Sequence, residues 1–126
     1  MKYYSKSKYK AKKVKVDGMI FDSKKEYNRW LELKAYEDAG RISDLERQVK
    51  FNLIPAAHEP DIVGPKGGIK RGKLIERECN YIADFVYVDA VSGERVVEDT
   101  KGMRTPDYTI KRKLMLWVHG IRINEV

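Results

Sequence analysis

Helical spacing of hydrophobic positions marks one early segment of the chain. Between Lys24 and Ala39 the apolar side chains fall three or four residues apart, which is the period of one helix face. Ser23 stands where an N-cap belongs, and Gly40 stands where a helix ends in the left-handed conformation. The pattern therefore predicts a helix over 24–39, in which Tyr27, Trp30, Leu31 and Ala35 follow helical spacing.

Period-2 alternation predicts strands on either side of this helix. Val14 and Val16 alternate with lysines, and Asp17-Gly18 leads into an apolar triplet at 19–21, which indicates a short hairpin with a type I′ turn. Residues 47–53 alternate in the same way and predict a strand with one buried face. The next segment, 55–72, has three prolines, four glycines and little periodicity, so we expect a long, mobile, basic loop there.

The C-terminal half predicts a hairpin followed by a second helix. Strand-like residues at 74–89 and 94–99 flank a turn at Ser92-Gly93. Thr105-Pro106 then supplies an N-cap and an N1 proline, and Gly120 supplies the stop. The expected apolar face of this helix is Ile110, Leu114, Trp117 and Val118. Ile121 and Ile123 suggest a last strand, and both tryptophans, Trp30 and Trp117, are expected to anchor the core.

Length and composition are typical of a single small domain. The 126 residues suffice for one hydrophobic core, and no apolar run approaches the roughly 18 residues of a membrane span, so we expect no membrane partner. The single cysteine, Cys79, excludes an internal disulfide and fits a reducing cytoplasm. With only His58 and His119 in the chain, a metal site built from several histidines is hard to assemble.

Charge divides the chain into a basic arm, residues 1–16, and a neutral domain, residues 17–126. The arm holds seven lysines and no acid, so the net charge of +7 belongs to it. Three tyrosines are interleaved with those lysines, giving cations for phosphates beside rings that can stack on bases. The arm therefore favours nucleic-acid binding, the alternative being a solubilising tail.

Two carboxylates are expected to face each other across the second hairpin. Asp84 and Asp99 are placed symmetrically about the point between residues 91 and 92, and directly opposed like charges are destabilising unless something neutralises them. Lys101 follows Asp99 by two residues and so shares its face, whereas Glu98 points to the other face. Two carboxylates and a lysine beside a cationic arm fit a Mg²⁺ site for phosphodiester hydrolysis, with Mn²⁺ as a possible substitute. The alternative is a structural cluster at the surface.

These residues resemble a known nuclease family. Asp84, followed by Asp99-Thr100-Lys101-Gly102 and preceded by Ser23-Lys24-Lys25-Glu26 on a helix, is similar to the PD-(D/E)XK nuclease superfamily. Within it the chain resembles small phage-encoded endonucleases, including the endonuclease I type that resolves branched DNA, and a phage family without an assigned function. The likeness runs from about residue 19 to the C-terminus and matches least in the 55–72 loop.

The resemblance implies an α/β fold with a central mixed β-sheet flanked by helices, a restriction-endonuclease-like core. It implies that Glu26, Asp84 and Asp99 bind the metal and that Lys101 assists the attacking water. Ala83 stands where the family has proline, and Glu98 beside Asp99 leaves the second ligand open by one residue, although strand parity favours Asp99. Glu26 also fits a capping box with Ser23. A single rotamer of Glu26 is not expected to cap the helix and face the metal at the same time.

Three functions compete at this point. The first is a Mg²⁺-dependent endonuclease acting on DNA, with branched or junction DNA as the expected substrate, working as a homodimer in the cytoplasm of a bacterial host. The second is a non-catalytic phage DNA-binding or packaging accessory protein, and the third is a small basic RNA-associated protein. The residues expected to contact DNA are Lys8, Lys10, Lys12, Lys13, Arg104, Lys111 and Lys113.

Overall fold

The structure, a computed structural model, describes residues 12–126, so the predicted contacts of Lys8 and Lys10 lie outside the described residues. Its elements, in chain order, are β1 Val14–Val16, β2 Met19–Phe21, α1 Lys24–Asp38, β3 Ile42–Ile54, β4 Ala57–His58, β5 Ile62–Val63, β6 Ile69–Lys70, β7 Leu74–Glu76, β8 Cys79–Asp89, β9 Arg95–Asp99, α2 Pro106–His119 and β10 Asn124–Glu125. No helix within 12–126 is long and apolar enough to cross a membrane.

The protein is an α/β fold built on a mixed four-stranded sheet. The strand order is β10-β9-β8-β3; β8 pairs antiparallel with both β3 and β9, while β10 runs parallel to β9. Adjacent residues of β8 face opposite sides of the sheet. Phe85 packs with Leu33 of α1 in what we call the α1 cluster, and Val86 packs with Met115 of α2 in what we call the α2 cluster. One helix thus covers each face, and the predicted central mixed sheet flanked by helices is confirmed at this level.

Local signals determine the ends of both helices as expected. The Ser23 hydroxyl accepts from the Glu26 backbone N–H at 3.1 Å, and the Thr105 hydroxyl accepts from the Tyr108 N–H at 3.3 Å. Gly120 closes α2 with a φ of 68°, in the left-handed region that favours glycine. Asp17 and Gly18 both have positive φ, as the predicted type I′ turn between β1 and β2 requires.

The segment expected to be a long loop is instead a paired ribbon. β4 pairs with β7 and β5 pairs with β6, so the chain from Ala57 to Glu76 continues the β3–β8 hairpin beyond the sheet. The prediction was wrong because prolines and glycines at the tip and at the bends masked the short alternating stretches between them. β3 is also longer than the predicted 47–53, beginning at Ile42.

The predicted apolar face of α2 is wrong except for Leu114, which packs against the cluster that contains Met115. Tyr108 and Met115 are the buried residues of this helix, whereas Ile110 is 58% exposed and Trp117 is 85% exposed. Trp117 is therefore not a core anchor, while Trp30 packs against the α1 cluster as expected. The last strand lies at Asn124–Glu125 rather than at Ile121 and Ile123, which pack against the α2 cluster instead.

Candidate active site

An open cleft lies across the C-terminal end of β9, between the N-terminal ends of α1 and α2. Its volume is about 410 Å³. Four predicted catalytic residues line it: Glu26, Asp84, Asp99 and Lys101. The structure thus brings together side chains from α1, β8, the end of β9 and the segment that follows it. Lys111 of α2 lines the same cleft.

The register of the second hairpin is the predicted one. Phe85 pairs with Glu98 and Val86 pairs with Val97, so Asp84 and Asp99 directly follow the last pair of the ladder, one on each strand. Thr100 joins the two strands at this point, because its N–H and its hydroxyl both donate to Asp84 Oδ2, at 2.9 and 2.8 Å. The Asp84 carboxylate is therefore held in place by Thr100, the residue after Asp99. This contact was not predicted from the sequence.

A reversal of the strand pattern occurs at Asp84. Ala83 and Val86 share the α2 cluster although simple alternation would separate them, and Phe85 belongs to the α1 cluster. The reversal coincides with Gln48 on β3, which has a φ of 53° and lies between the paired residues Arg47 and Val49. Because both strands turn over at this step, Asp84 lines the cleft while the residues on either side of it are buried in different clusters.

Asp99, and not Glu98, faces the cleft. Asp99 is 3% exposed; the Tyr81 hydroxyl donates to its Oδ2, and Lys101 Nζ lies 3.1 Å from its Oδ1. Glu98 lies on the opposite face, is fully buried, and accepts from Arg29 Nε at 2.9 Å and Nη2 at 2.6 Å as well as from the Tyr87 hydroxyl. The two adjacent acids are thus separated into a cleft carboxylate and a buried ion pair.

The two oxygens of the Glu26 carboxylate have separate partners. Its Oε1 accepts from the Asp22 N–H at 3.1 Å, one residue before the N-cap, which is a variation on the capping box. Its Oε2 lies 3.4 Å from Gln48 Nε2 and 4.0 Å from Arg47 Nη2. The two oxygens of the carboxylate thus have different neighbours, and the contact to Asp22 uses only one of them.

Lys101 is held at the floor of the cleft. Its ammonium contacts Asp99 and lies 4.0 Å from the centre of the Tyr108 ring, a cation–π geometry. The carbonyl of Lys101 accepts from Lys25 Nζ at 3.0 Å, which ties the segment after β9 to the first turn of α1. Tyr108, which had no assigned role, therefore orients the lysine.

The residues predicted to contact DNA are scattered. Lys12 and Lys13 are exposed, and Lys13 lies 3.9 Å from Asp22. Arg104 is engaged with Glu125, at 2.9 Å from Nε and 2.5 Å from Nη2. Lys113 lines a separate groove with Arg122 and so does not join Lys111, because residues two apart on a helix point to different faces.

Within residues 12–126, no group of three His, Cys, Asp or Glu side chains is arranged to hold a metal ion. Each candidate carboxylate is held by protein donors instead: Asp84 by Thr100, Asp99 by Tyr81 and Lys101, and Glu26 by Asp22.

One family matches nearly the whole chain. It is described as a protein of unknown function (DUF1064), and the match covers residues 6–120. The chain belongs to the DUF1064 family. No curated protein and no solved structure matches it. The matched range includes the cleft of this DUF1064 chain and the two helices that border it.

The cleft carboxylates of this DUF1064 chain repel one another. Burial, and then the charge of Asp84, raises the pKa of Glu26 to about 7. Burial also raises the pKa of Asp99 to about 6; Asp84 adds to the rise, while the Tyr81 hydroxyl opposes it. Negative charge is therefore concentrated here beyond what the neighbouring cations neutralise.

The raised pKa of Glu26 predicts a specific pH dependence of stability in the absence of divalent ions. Because the folded-state pKa of Glu26 lies above 4.5, the folded protein holds the proton more tightly than the unfolded chain. The free energy of unfolding should therefore fall as the pH rises from about 4.5 to about 7, by at most roughly 3 kcal/mol for this group. Denaturant titrations in EDTA at several pH values should show a shallower fall for Glu26→Gln than for the wild type. Parallel curves would contradict the prediction.

Proposed function

We propose that this chain is a Mg²⁺-dependent endonuclease of the PD-(D/E)XK type that hydrolyses phosphodiester bonds in DNA, with branched or junction DNA as its substrate. The observation that carries the proposal is the meeting of Glu26, Asp84, Asp99 and Lys101 in one cleft. Glu26 comes from α1, far along the chain from the β8–β9 hairpin and the lysine that follows it, so its place in the same cleft is not a consequence of local sequence.

The donor set of the cleft fits a hard divalent cation. Five carboxylates line it against two lysines: Asp22, Glu26, Asp84, Asp99 and Asp107. Among the described residues, no histidine or cysteine lines the cleft. Oxygen donors are the ligands that Mg²⁺ and Mn²⁺ prefer. Mg²⁺ commonly binds through one or two carboxylates, waters and substrate phosphates, so it does not need a preformed cage of three side chains.

Glu26, Asp84 and Asp99 are the residues that would hold the ion. When bound, it would polarise a phosphate oxygen and lower the pKa of a coordinated water. The raised pKa values of Glu26 and Asp99 fit this assignment, because a divalent cation would stabilise the charged carboxylates that burial, and to a lesser extent the charge of Asp84, disfavours.

The chain's own cations would act on the scissile phosphate. Lys101 is fixed by Asp99 and the Tyr108 ring, so its ammonium can orient an attacking water or stabilise the charge that develops on phosphorus-bound oxygens. Lys111 lines the cleft from α2, where it can bind a non-bridging phosphate oxygen. The N-terminal ends of both helices adjoin the cleft and favour anions there.

The arrangement of elements supports a restriction-endonuclease-like core. A helix carrying Glu26 precedes an antiparallel pair carrying Asp84 and Asp99, and a second helix follows on the opposite face of a mixed sheet. In this proposal the lysine arm of residues 1–16 binds DNA, two copies act together to nick both strands of a symmetric branched substrate, and the reaction takes place in the cytoplasm of a bacterial host.

The proposal is tested by incubating the protein with labelled linear, flapped and four-way DNA, in Mg²⁺ or in EDTA. We expect cleavage only with the divalent ion and fastest on a branched substrate. Equal cleavage of all three DNAs would remove the branched-DNA part of the proposal. Binding without cleavage in any metal would overturn the enzyme assignment and support a non-catalytic DNA-binding protein.

Lys101 provides a second prediction, because its expected effect is on rate rather than on affinity. Lys101→Ala should lower kcat by roughly 10² to 10³ while changing the dissociation constant for DNA little, since one cation among many contributes little to binding. Lys101→Arg should not restore the rate, because a forked guanidinium cannot replace a compact ammonium beside a water. Lys34→Ala, which removes a lysine paired with Glu37 on α1, is the matched control. Near-normal turnover of either Lys101 variant would exclude the lysine from the mechanism.

A further inference from the structure

Residues 57–76 form a two-stranded ribbon that continues the two longest strands of the sheet. Pairing runs from Ile54–Cys79 in the sheet, through Ala57–Glu76 and His58–Leu74, to Val63–Ile69 near the tip. At about 3.3 Å per residue, the nine steps from Ile54 to Val63 can reach up to roughly 30 Å. The base of the ribbon adjoins the cleft, because Asn80, next to Cys79, lines it.

The ribbon is held in one shape by its own backbone. At the tip the Gly64 N–H donates to the Gly68 carbonyl at 2.7 Å, and at the base the Glu59 N–H donates to the Lys73 carbonyl at 2.8 Å. Between them the buried Gly72 donates to Asp61 Oδ1 at 3.1 Å. A Cβ at Gly72 would lie 1.8 Å from the Glu59 carbonyl oxygen, so no other residue fits there. A partner would therefore meet a preformed element.

The outer part of the ribbon exposes β-branched side chains. Ile62, Val63 and Ile69 are 60%, 71% and 75% exposed, and Val63 and Ile69 are cross-strand partners. Isolated exposed apolar residues are ordinary, but a group of them on one preformed projection is typical of a binding surface. Folding leaves these side chains in water, where they are accessible to a binding partner.

The charge of the same segment indicates the kind of partner. Residues 62–73 contain four cations and no acid: Lys66, Lys70, Arg71 and Lys73. The acids of the ribbon, Glu59, Asp61 and Glu76, all lie outside this segment, and Asp61 already accepts from the Gly72 N–H. A cationic tip complements a polyanion, and it would repel the equally cationic tip of a second copy of this chain.

We propose that this ribbon docks in the major groove of duplex DNA beside the cleft. The proposal rests on the proposed function, since it identifies a surface that would hold the substrate of that site. A two-stranded β-ribbon has the width that the major groove admits. The flanking cations contact phosphates, and the β-branched side chains contact apolar base edges, of which the thymine methyl is exposed only in that groove.

The test measures binding of the full chain to a fluorescent AT-rich duplex in EDTA, where no cleavage can occur. Lys66→Ala should weaken binding and lower the slope of log K against log salt by about 0.9, the loss of one phosphate contact. Lys34→Ala on α1 should leave that slope unchanged. Val63→Ala with Ile69→Ala should weaken binding about tenfold without changing the slope. Val91→Ala, at a 96% exposed valine in the β8–β9 turn, is the matched apolar control.

Replacing thymine with uracil in the duplex removes only the major-groove methyl groups. We expect the uracil duplex to bind the wild type more weakly and to reduce the effect of the Val63 and Ile69 substitutions. An unchanged affinity would overturn the major-groove assignment.

The outcomes separate this inference from the proposed function. A wild type that cleaves branched DNA, together with ribbon variants that bind as it does, would overturn the ribbon proposal alone. A wild type that neither binds nor cleaves DNA would overturn the proposed function, and the ribbon proposal with it. Apolar variants that change the sedimentation of the free protein but not its DNA affinity would assign the surface to contact between copies, contrary to the proposal.

Discussion

Asp84→Asn should lower the rate of metal-dependent DNA cleavage by roughly 10³-fold or more while leaving the protein folded. Asparagine keeps the shape of the side chain and an oxygen that can accept both Thr100 bonds, so the junction between β8 and the end of β9 is preserved. What is lost is the charge between Glu26 and Asp99, whose pKa values that charge helps to raise. Without metal, the thermal stability should therefore be unchanged or higher, as at other sites where activity opposes stability.

The measurement pairs cleavage of four-way DNA in Mg²⁺ with thermal unfolding in EDTA. Asp107→Asn is the matched control, because Asp107 lines the same cleft from the first turn of α2 but is not among the proposed ligands. We expect it to cleave nearly as the wild type does. If Asp84→Asn unfolds and loses activity together, Asp84 is a structural residue and the enzyme proposal loses its main support.

Arg29→Ala should lower the free energy of unfolding by roughly 3 to 5 kcal/mol, the usual effect of leaving a buried charge unpaired. Glu98 is 0% exposed, and two of its donors are the Nε and Nη2 of Arg29. Removing them leaves the Tyr87 hydroxyl as the remaining donor seen in the structure. Denaturant unfolding at neutral pH is the measurement.

Two further variants make this prediction specific. Glu32→Ala removes the exposed partner of Arg29, 3.8 Å away and 57% exposed, and should change stability by less than about 1 kcal/mol. The double substitution of Arg29 by Met and Glu98 by Leu should recover part of the loss, because apolar replacement of a whole buried pair is often tolerated. A loss under 1 kcal/mol for Arg29→Ala would show that Glu98 finds another partner.

The same ion pair has a consequence for the cleft. Arg29 lies one turn after Glu26 on α1, and Glu98 precedes Asp99 on β9, so the pair holds together the two elements that carry these cleft acids. From the sequence alone, Glu98 is only an alternative metal ligand to Asp99. Nothing local distinguishes a buried ion pair from a cleft carboxylate, because the choice depends on which helix covers which face of the sheet.

Features decided by neighbouring residues were predicted from the sequence. Both helices, their Ser23 and Thr105 caps, the Asp17-Gly18 turn and the register of the β8–β9 hairpin follow from local dihedral preferences and short-range hydrogen bonds. A short turn determines the register of its own strands, and this register brings Asp84 and Asp99 to the same end of the hairpin.

Features decided by contacts between distant segments were not predicted from the sequence. Trp117 has the hydrophobicity of a core residue, yet the sheet meets the face of α2 that carries Tyr108 and Met115. Arg104 was expected to reach a phosphate, but the return of the chain at β10 places Glu125 beside it. The sequence of the ribbon predicts a loop because its strands have only two or three residues each and depend on the long β3–β8 pair as a base.

By itself, then, the sequence determined the helices, the turns, the hairpin register and the set of acids and lysine from which a cleft could be built. Only the tertiary structure decided that β3 and β8 reverse their faces at Gln48 and Asp84, that Glu98 is paired with Arg29, and that Glu26 lies beside Asp84. The physical reason is range. Dihedral preferences and capping bonds act within a few residues, whereas the side on which a helix packs is set by burial summed over the whole sheet.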